Sequence, residues 1–290
     1  MLVEKFKADK DVKLSKLIES KIPSLYYGSL NKIFRNKDVI VDGVRCSSER
    51  FVTAGSEVKV FYQEPFNIEN SIVYDDENIV IVNKSRGVET INENGENEKS
   101  LFDYVKSLSK ECFAVHRLDR NTSGLVVFAK NVKAKESLDS AFKNRTIDKY
   151  YLTLVYGFMK SSQNTEQAFL KKDAKKSFVQ ISAIPLDGYS KILTKYKVLE
   201  EYENSSLLEV ELLTGKTHQI RAHLSYLGNF VIGDEKYGRH DINKKFNKKY
   251  QCLTAYKIIF HFEAGDMLGY LNGKVIELEK SKIDFLSNNK

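Results

Sequence analysis

Asp119 stands among His116, Arg117 and Arg120, a single carboxylate between basic side chains, and the run closes on Asn121-Thr122-Ser123-Gly124. Apolar segments flank it, Phe113 to Val115 before and Leu125 to Ala129 after, so the charges are held against hydrophobic chain. A carboxylate fixed beside Arg117 is expected to stay ionised at neutral pH. That suits a nucleophile or an electrostatic stabiliser better than a proton donor. The same residues would equally make a structural ion pair at a strand end.

Other chemistries fit the residues poorly. Gly215-Lys216-Thr217 imitates the end of a phosphate-binding loop, but the glycine needed five residues earlier is Val210, inside an expected strand. His116-Arg117 before Asp119 has a kinase-like order, yet no glycine-rich loop precedes it. His218 and His223 lie about 140° apart around a helix, which prevents an i, i+4 metal clamp, and His240 and His261 have no nearby partner in sequence. No metal site is expected. Glycoside hydrolysis needs a second, protonated carboxyl group. The best-placed one, Asp234 in Gly233-Asp234-Glu235-Lys236-Tyr237-Gly238, reads first as a turn residue.

The segment His116-Arg117-Leu118-Asp119, two variable residues and Thr122-Ser123-Gly124 resembles the signature of the RluA family of pseudouridine synthases. Three later stretches resemble the same family in order: Lys149-Tyr150-Tyr151, Thr214 to His223, and Gly233 to Gly238. The resemblance implies isomerisation of uridine to pseudouridine in RNA, in which the N1–C1′ bond is broken and remade at C5. No net redox change occurs, so no cofactor is expected.

The resemblance also implies roles. Asp119 acts at the ribose, either attacking C1′ or removing the C2′ proton, and Tyr151 serves as base for the C5 proton. Arg221 pairs with Asp119. His116, Arg117, Leu118, Arg120, Thr122, Lys149, Lys216, His218, Gln219 and Ile220 contact the RNA or the extruded nucleotide, with Arg117, Arg120 and Lys216 on phosphates. Without the resemblance, Tyr151 reads as core packing and Arg221 as a surface arginine.

Three departures from the family pattern concern loops: Lys216 in place of arginine, Ser85 in place of proline, and Asn229-Phe230 in place of His-Pro. The segment from Gly238 to Lys257 is most similar to the RluC-like branch, which points to large-subunit ribosomal RNA, free or in an assembly intermediate, as partner; the sequence does not fix the oligomeric state, for which a monomer is the first expectation. Two other readings remain open: a family member that binds RNA without catalysis, and a carboxylate-dependent hydrolase.

The elements that must position these residues can be read from patterning. The 290 residues, 42% apolar, suffice for one large and one small domain, and 46 basic against 39 acidic side chains give a net charge of +7. The excess argues for a polyanionic partner. Cys46, Cys112 and Cys252 form no metal or disulfide spacing, which suits a reducing cytoplasm. No signal-peptide core and no apolar run of roughly 18 residues is present.

Residues 1–62 predict a helix through Leu14, Leu17, Ile18 and Ile22, a second over Ser29 to Arg35, a hairpin at Asp42-Gly43, and a strand over Val58 to Tyr62. This arrangement resembles the S4 RNA-binding module. Its 12 basic and 8 acidic residues leave net +4, with Lys32, Arg35, Lys37 and Arg45 as the RNA face, although a solvated face would look alike.

A linker is expected over 63–70 and the catalytic domain over 71–290. Strands are expected at Ile79 to Val82, Tyr150 to Tyr156, Phe178 to Ala183, Ile192 to Leu199, Leu207 to Leu213, Leu253 to Phe262 and Val275 to Leu278. Helices are expected at Val132 to Phe142 and Thr217 to Leu227, and exposed loops at Lys171 to Lys176 and Lys244 to Lys249. The class is α+β with a largely antiparallel sheet.

Overall fold

The computed structural model describes residues 2–22, 25, 27–62, 68–92, 99–173 and 178–287. The chain divides between Asn67 and Ile68 into two compact units. That division falls inside the expected 63–70 linker, of which residues 63–67 lie outside the described residues.

In the first unit, helices Leu14–Lys21 and Tyr27–Arg35 accompany a four-stranded sheet in the order Leu2–Lys7, Glu57–Tyr62, Val39–Val41, Val44–Cys46. Leu14, Leu17, Ile18, Leu30, Ile33 and Phe34 pack with Val39, Val41, Val58 and Val60 into one core. The alternation along Glu57–Tyr62 puts Val58, Val60 and Tyr62 inward and leaves Lys59 and Phe61 half-exposed. Asp42 and Gly43, both at positive φ, close the hairpin as its sequence requires. Arg35, Lys37 and Arg45 are exposed; the side chain of Lys32 lies outside the described residues. The Arg45 guanidinium donates to the Lys37 carbonyl at 2.7 Å and lies 5.8 Å from the Phe61 ring centre.

The second unit is α+β around an 11-stranded sheet. Its main path runs Phe178–Ser182, Gln163–Asp173, Ser190–Tyr202, Ser205–Leu212, Ile147–Tyr156, Leu253–Phe260, Ser123–Ala129, Ile79–Lys84, Ile72–Asp75. Every pairing on that path is antiparallel except the one between Ser123–Ala129 and Leu253–Phe260. The central strands are covered on both faces, so they read as continuous apolar runs. Helix Val132–Asn144 begins where Asn131 accepts from the Ala134 amide at 2.8 Å and buries Ala134, Leu138 and Ala141.

Two expected loops differ. Lys171 and Lys172 lie in the Gln163–Asp173 strand, and Lys244 and Lys245 end the short helix His240–Lys245. That strand pairs on both sides through its backbone while most of its side chains face solvent, so it carries little apolar signal. Residues 174–176 lie outside the described residues.

The register brings the motifs together. Gly124 pairs with Ala255, Ala255 with Tyr151, and Tyr151 with Val210, a row across four strands. A bulge between Tyr150 and Tyr151 sets that register locally. Gly124 has φ 113°, and a Cβ there would stand 2.1 Å from the Ala255 carbonyl oxygen. Only glycine permits this approach. Gly124→Ala should therefore lower unfolding stability by at least about 2 kcal/mol, read from urea denaturation. An unchanged midpoint would contradict the register.

Candidate active site

Asp119 sits in the turn that leads into Ser123–Ala129, where the Thr122 amide donates to its carbonyl at 3.0 Å. Buried Thr122 accepts in turn from Gln251 at 2.6 Å. On the other side of the turn, the amide of Leu118 donates to the Thr90 hydroxyl and the hydroxyl donates back to the Leu118 carbonyl, both at 3.1 Å.

Behind the turn lies Lys84, fully buried, whose ammonium donates to the carbonyls of Val88 (2.7 Å), Arg120 (2.9 Å) and Ser85 (3.1 Å). Burial pulls its pKa down to about 7, against the opposing attraction of Asp119. Lys84 thus ties the turn after Asp119 to the end of the Ile79–Lys84 strand. Sequence reading missed this role, since a lysine at a strand end normally reads as solvated.

Arg221 arrives from the helix Gln219–Tyr226. Its guanidinium donates through Nη1 to Asp119 Oδ2 at 2.7 Å, through Nε to Asp234 Oδ2 at 2.6 Å, and through Nη2 to Asp234 Oδ1 at 2.9 Å. The expected partnership of Arg221 with Asp119 is therefore present. However, Arg221 is buried and not a surface arginine, and Asp234 meets it bidentately from the far side.

Asp234 combines the turn role expected of it with this ion pair. Its Oδ1 also accepts from the amides of Lys236 (2.8 Å) and Tyr237 (3.1 Å). With four N–H donors on its two oxygens it is an acceptor, not a proton donor, which removes the acid that a paired-carboxylate hydrolase requires. The Asp119 side chain is 27% exposed and that of Asp234 0%, so of the two carboxylates only Asp119 is open to solvent.

Helix Gln219–Tyr226 is anchored through buried Gln219. Its carbonyl oxygen accepts from Thr214 (2.9 Å) and the Lys216 amide (3.1 Å), and its amide donates to Leu193 (3.0 Å) and Thr194 (3.1 Å). Ile220 is buried beside it. His218 precedes the helix in a left-handed conformation at φ 53°, a strained choice for a non-glycine residue.

Tyr151 is buried, and its pKa is raised first by burial and then by the charge of Asp119. Half-buried His116 accepts from the Val127 amide at 2.9 Å, and burial takes its pKa down to about 3. Lys149, on the same strand face as Tyr151, lies 5.4 Å from the Phe142 ring centre, and burial lowers its pKa too. Arg117 and Lys216 are exposed. Arg120 donates through Nε to the Gly87 carbonyl at 3.0 Å. Among the described residues, no three His, Cys, Asp or Glu side chains are grouped to hold a metal.

The profile of the RNA pseudouridylate synthase family matches residues 78–226, which include Asp119, Tyr151 and Arg221. A ribosomal large subunit pseudouridine synthase C of Rickettsia bellii is 29% identical over 272 residues, 85% of this chain and 89% of that protein. A ribosomal large subunit pseudouridine synthase D of Borreliella burgdorferi is 31% identical over 239 residues, 77% of this chain and 70% of that protein. The solved structure of human RNA pseudouridylate synthase domain containing 1 matches 78% of this chain and 98% of its own, with TM-score 0.58 and 25% identity. The chain belongs to the RNA pseudouridylate synthase family and is a pseudouridine synthase of its RluA, RluC-like branch.

The second histidine of the helix segment gives a pH prediction. Fully buried His223 contacts Thr194 at 2.9 Å through Nδ1, and its Nε2 finds no hydrogen-bond partner among the described residues. Burial pulls its pKa to about 4 from 6.5. The unfolded chain then takes up a proton that the folded chain refuses. Stability is fully present above pH 6.5 and falls as pH drops toward 4, by about 1.4 kcal/mol per pH unit from this group. Urea unfolding of His223→Gln between pH 7 and 4.5 should show a shallower acid slope than the parent. An identical slope would contradict a neutral, buried His223.

Proposed function

We propose that the protein isomerises uridines of large-subunit ribosomal RNA, with Asp119 acting at the ribose of an extruded nucleotide. The observation that supports this is the 2.7 Å contact between Arg221 and Asp119, with Asp234 holding Arg221 from behind. An ionised, oriented and partly open carboxylate is what attack at C1′, or removal of the C2′ proton, requires. The ribosomal substrate rests on the relatives' names and on the net charge of +7.

In this reading burial, and to a smaller extent the Asp119 charge, keeps the Tyr151 phenol protonated before reaction. Once that charge is consumed by the sugar, the smaller of the two effects is lost, and an extruded nucleotide that brings polar groups to the phenol would ease proton exchange with C5. Exposed Arg117 and Lys216, with Arg120, hold backbone phosphates while the base leaves its stack, at a cost of a few kcal/mol. Their phosphate contacts fix register on the RNA rather than the reaction itself. The unit before the linker acts as an S4-like tether through Lys32, Arg35, Lys37 and Arg45, raising the effective concentration of the substrate.

Ribosomal RNA transcribed with tritium at uridine C5 tests the reaction directly. The parent enzyme should release tritium and leave RNA mass unchanged. Asp119→Asn should release none while binding RNA within a few fold of the parent. Turnover by that variant would refute the role of Asp119, and free uracil among the products would favour hydrolysis.

A further inference from the structure

Tyr237 and His218 form a relay beside Asp119 that the four motifs do not explain. The Tyr237 hydroxyl accepts from the Val179 amide at 3.0 Å and lies 2.8 Å from His218 Nδ1. One hydroxyl carries one proton. If Nδ1 were protonated, the Tyr237 oxygen would accept twice and its own proton would have no acceptor among the bonds of the described residues. If Tyr237 donates to Nδ1 instead, the hydroxyl proton is bonded and the ring turns an N–H, not a lone pair, toward the Asp119 carboxylate. The His218 proton is then on Nε2, the ring nitrogen that faces Asp119 Oδ2 at 3.9 Å.

That oxygen is also the one that Arg221 Nη1 holds at 2.7 Å. Arg221 therefore donates to Oδ2 while the His218 Nε2–H faces the same oxygen from 3.9 Å, beyond direct hydrogen-bond length, and no donor among the hydrogen bonds of the described residues reaches Oδ1. We propose that His218 is a positioning residue: a neutral imidazole, locked by Tyr237 as the Nε2–H tautomer, that directs its N–H dipole at Oδ2 beside Arg221 and leaves Oδ1 as the oxygen presented to the sugar. The inference deepens the role proposed for Asp119 and rests on it for its catalytic meaning. It applies equally to attack at C1′ and to removal of the C2′ proton, since either step uses Oδ1.

The surroundings fit a neutral ring. Burial and the charges of Arg221 and Lys236 disfavour protonation of His218, whereas Asp119 and Asp234 favour it. Tyr237, from the turn after Asp234, closes the remaining side with its ring edge-on at 5.6 Å. The left-handed backbone of His218 is explained by the same requirement, because it turns the imidazole toward Tyr237 and Asp119 at the helix start.

Two substitutions separate donor from packing roles. A glutamine places its amide nitrogen near the former Nε2, and an asparagine places its polar atoms near Nδ1. His218→Gln should keep single-turnover tritium release within a few fold of the parent, while His218→Asn, which withdraws the N–H from the carboxylate, loses about tenfold or more. Tyr237→Phe should lower kcat with KM for RNA little changed, and shift the acid limb of the profile upward by releasing Nδ1 to take a proton. Nitrogen-15 NMR of the intact protein reads the tautomer without turnover, with Nε2–H expected in the parent. A parent Nδ1–H signal, or rescue by asparagine and not by glutamine, would overturn the proposal. If no RNA is turned over by the parent, the NMR result still decides the tautomer while the proposed reaction fails by itself.

Discussion

Arg221 carries one positive charge and meets two carboxylates, and the rest of the site is arranged around that mismatch. Asp234 is fully buried and takes two of the three guanidinium contacts, so it fixes the plane in which the third N–H points. Asp119 receives that third bond while remaining partly open. Removing one partner from such a buried network leaves an uncompensated charge, typically worth 3–5 kcal/mol. The arrangement therefore holds only if three separate segments are delivered together: the turn before Ser123–Ala129, helix Gln219–Tyr226 and the turn at Gly233.

The sheet performs that delivery. A parallel junction inside an otherwise antiparallel path puts Gly124 beside Ala255 and Ala255 beside Tyr151. The missing side chain at position 124 allows the strands to approach closely enough. Lys84 and Thr90 then hold the Asp119 turn from the neighbouring strand and the loop that follows it, and Gln219 fixes the loop that carries His218. Much of the polar chemistry inside this unit is thus spent on backbone groups, which is how a buried loop satisfies its amides and carbonyls.

Much of this was legible in the residues. The central strands, the Asn131-capped helix and the hairpin at Asp42-Gly43 follow from apolar patterning and turn chemistry, which act locally. The Asp119–Arg221 pair was legible only through the family motifs, since a contact 102 residues apart leaves no periodic trace. Asp234 read as a turn residue because its amide contacts are local, whereas its ion pair is not. Lys84 and Tyr237 were hidden for a related reason: burial of a lysine or a specific hydroxyl contact depends on what the rest of the chain brings around it. The Gln163–Asp173 strand was missed because it pairs by backbone while exposing polar side chains.

The central claim is that Asp234 acts on Asp119 through Arg221. A double-mutant cycle on Arg221→Lys and Asp234→Asn, read as single-turnover rates of tritium release with RNA affinity measured in parallel, tests it most directly. Each substitution alone should slow turnover by about a hundredfold, and the double variant should be little worse than either. Fully additive losses, or an Asp234→Asn enzyme as fast as the parent, would show that the two carboxylates are not coupled and would contradict the account.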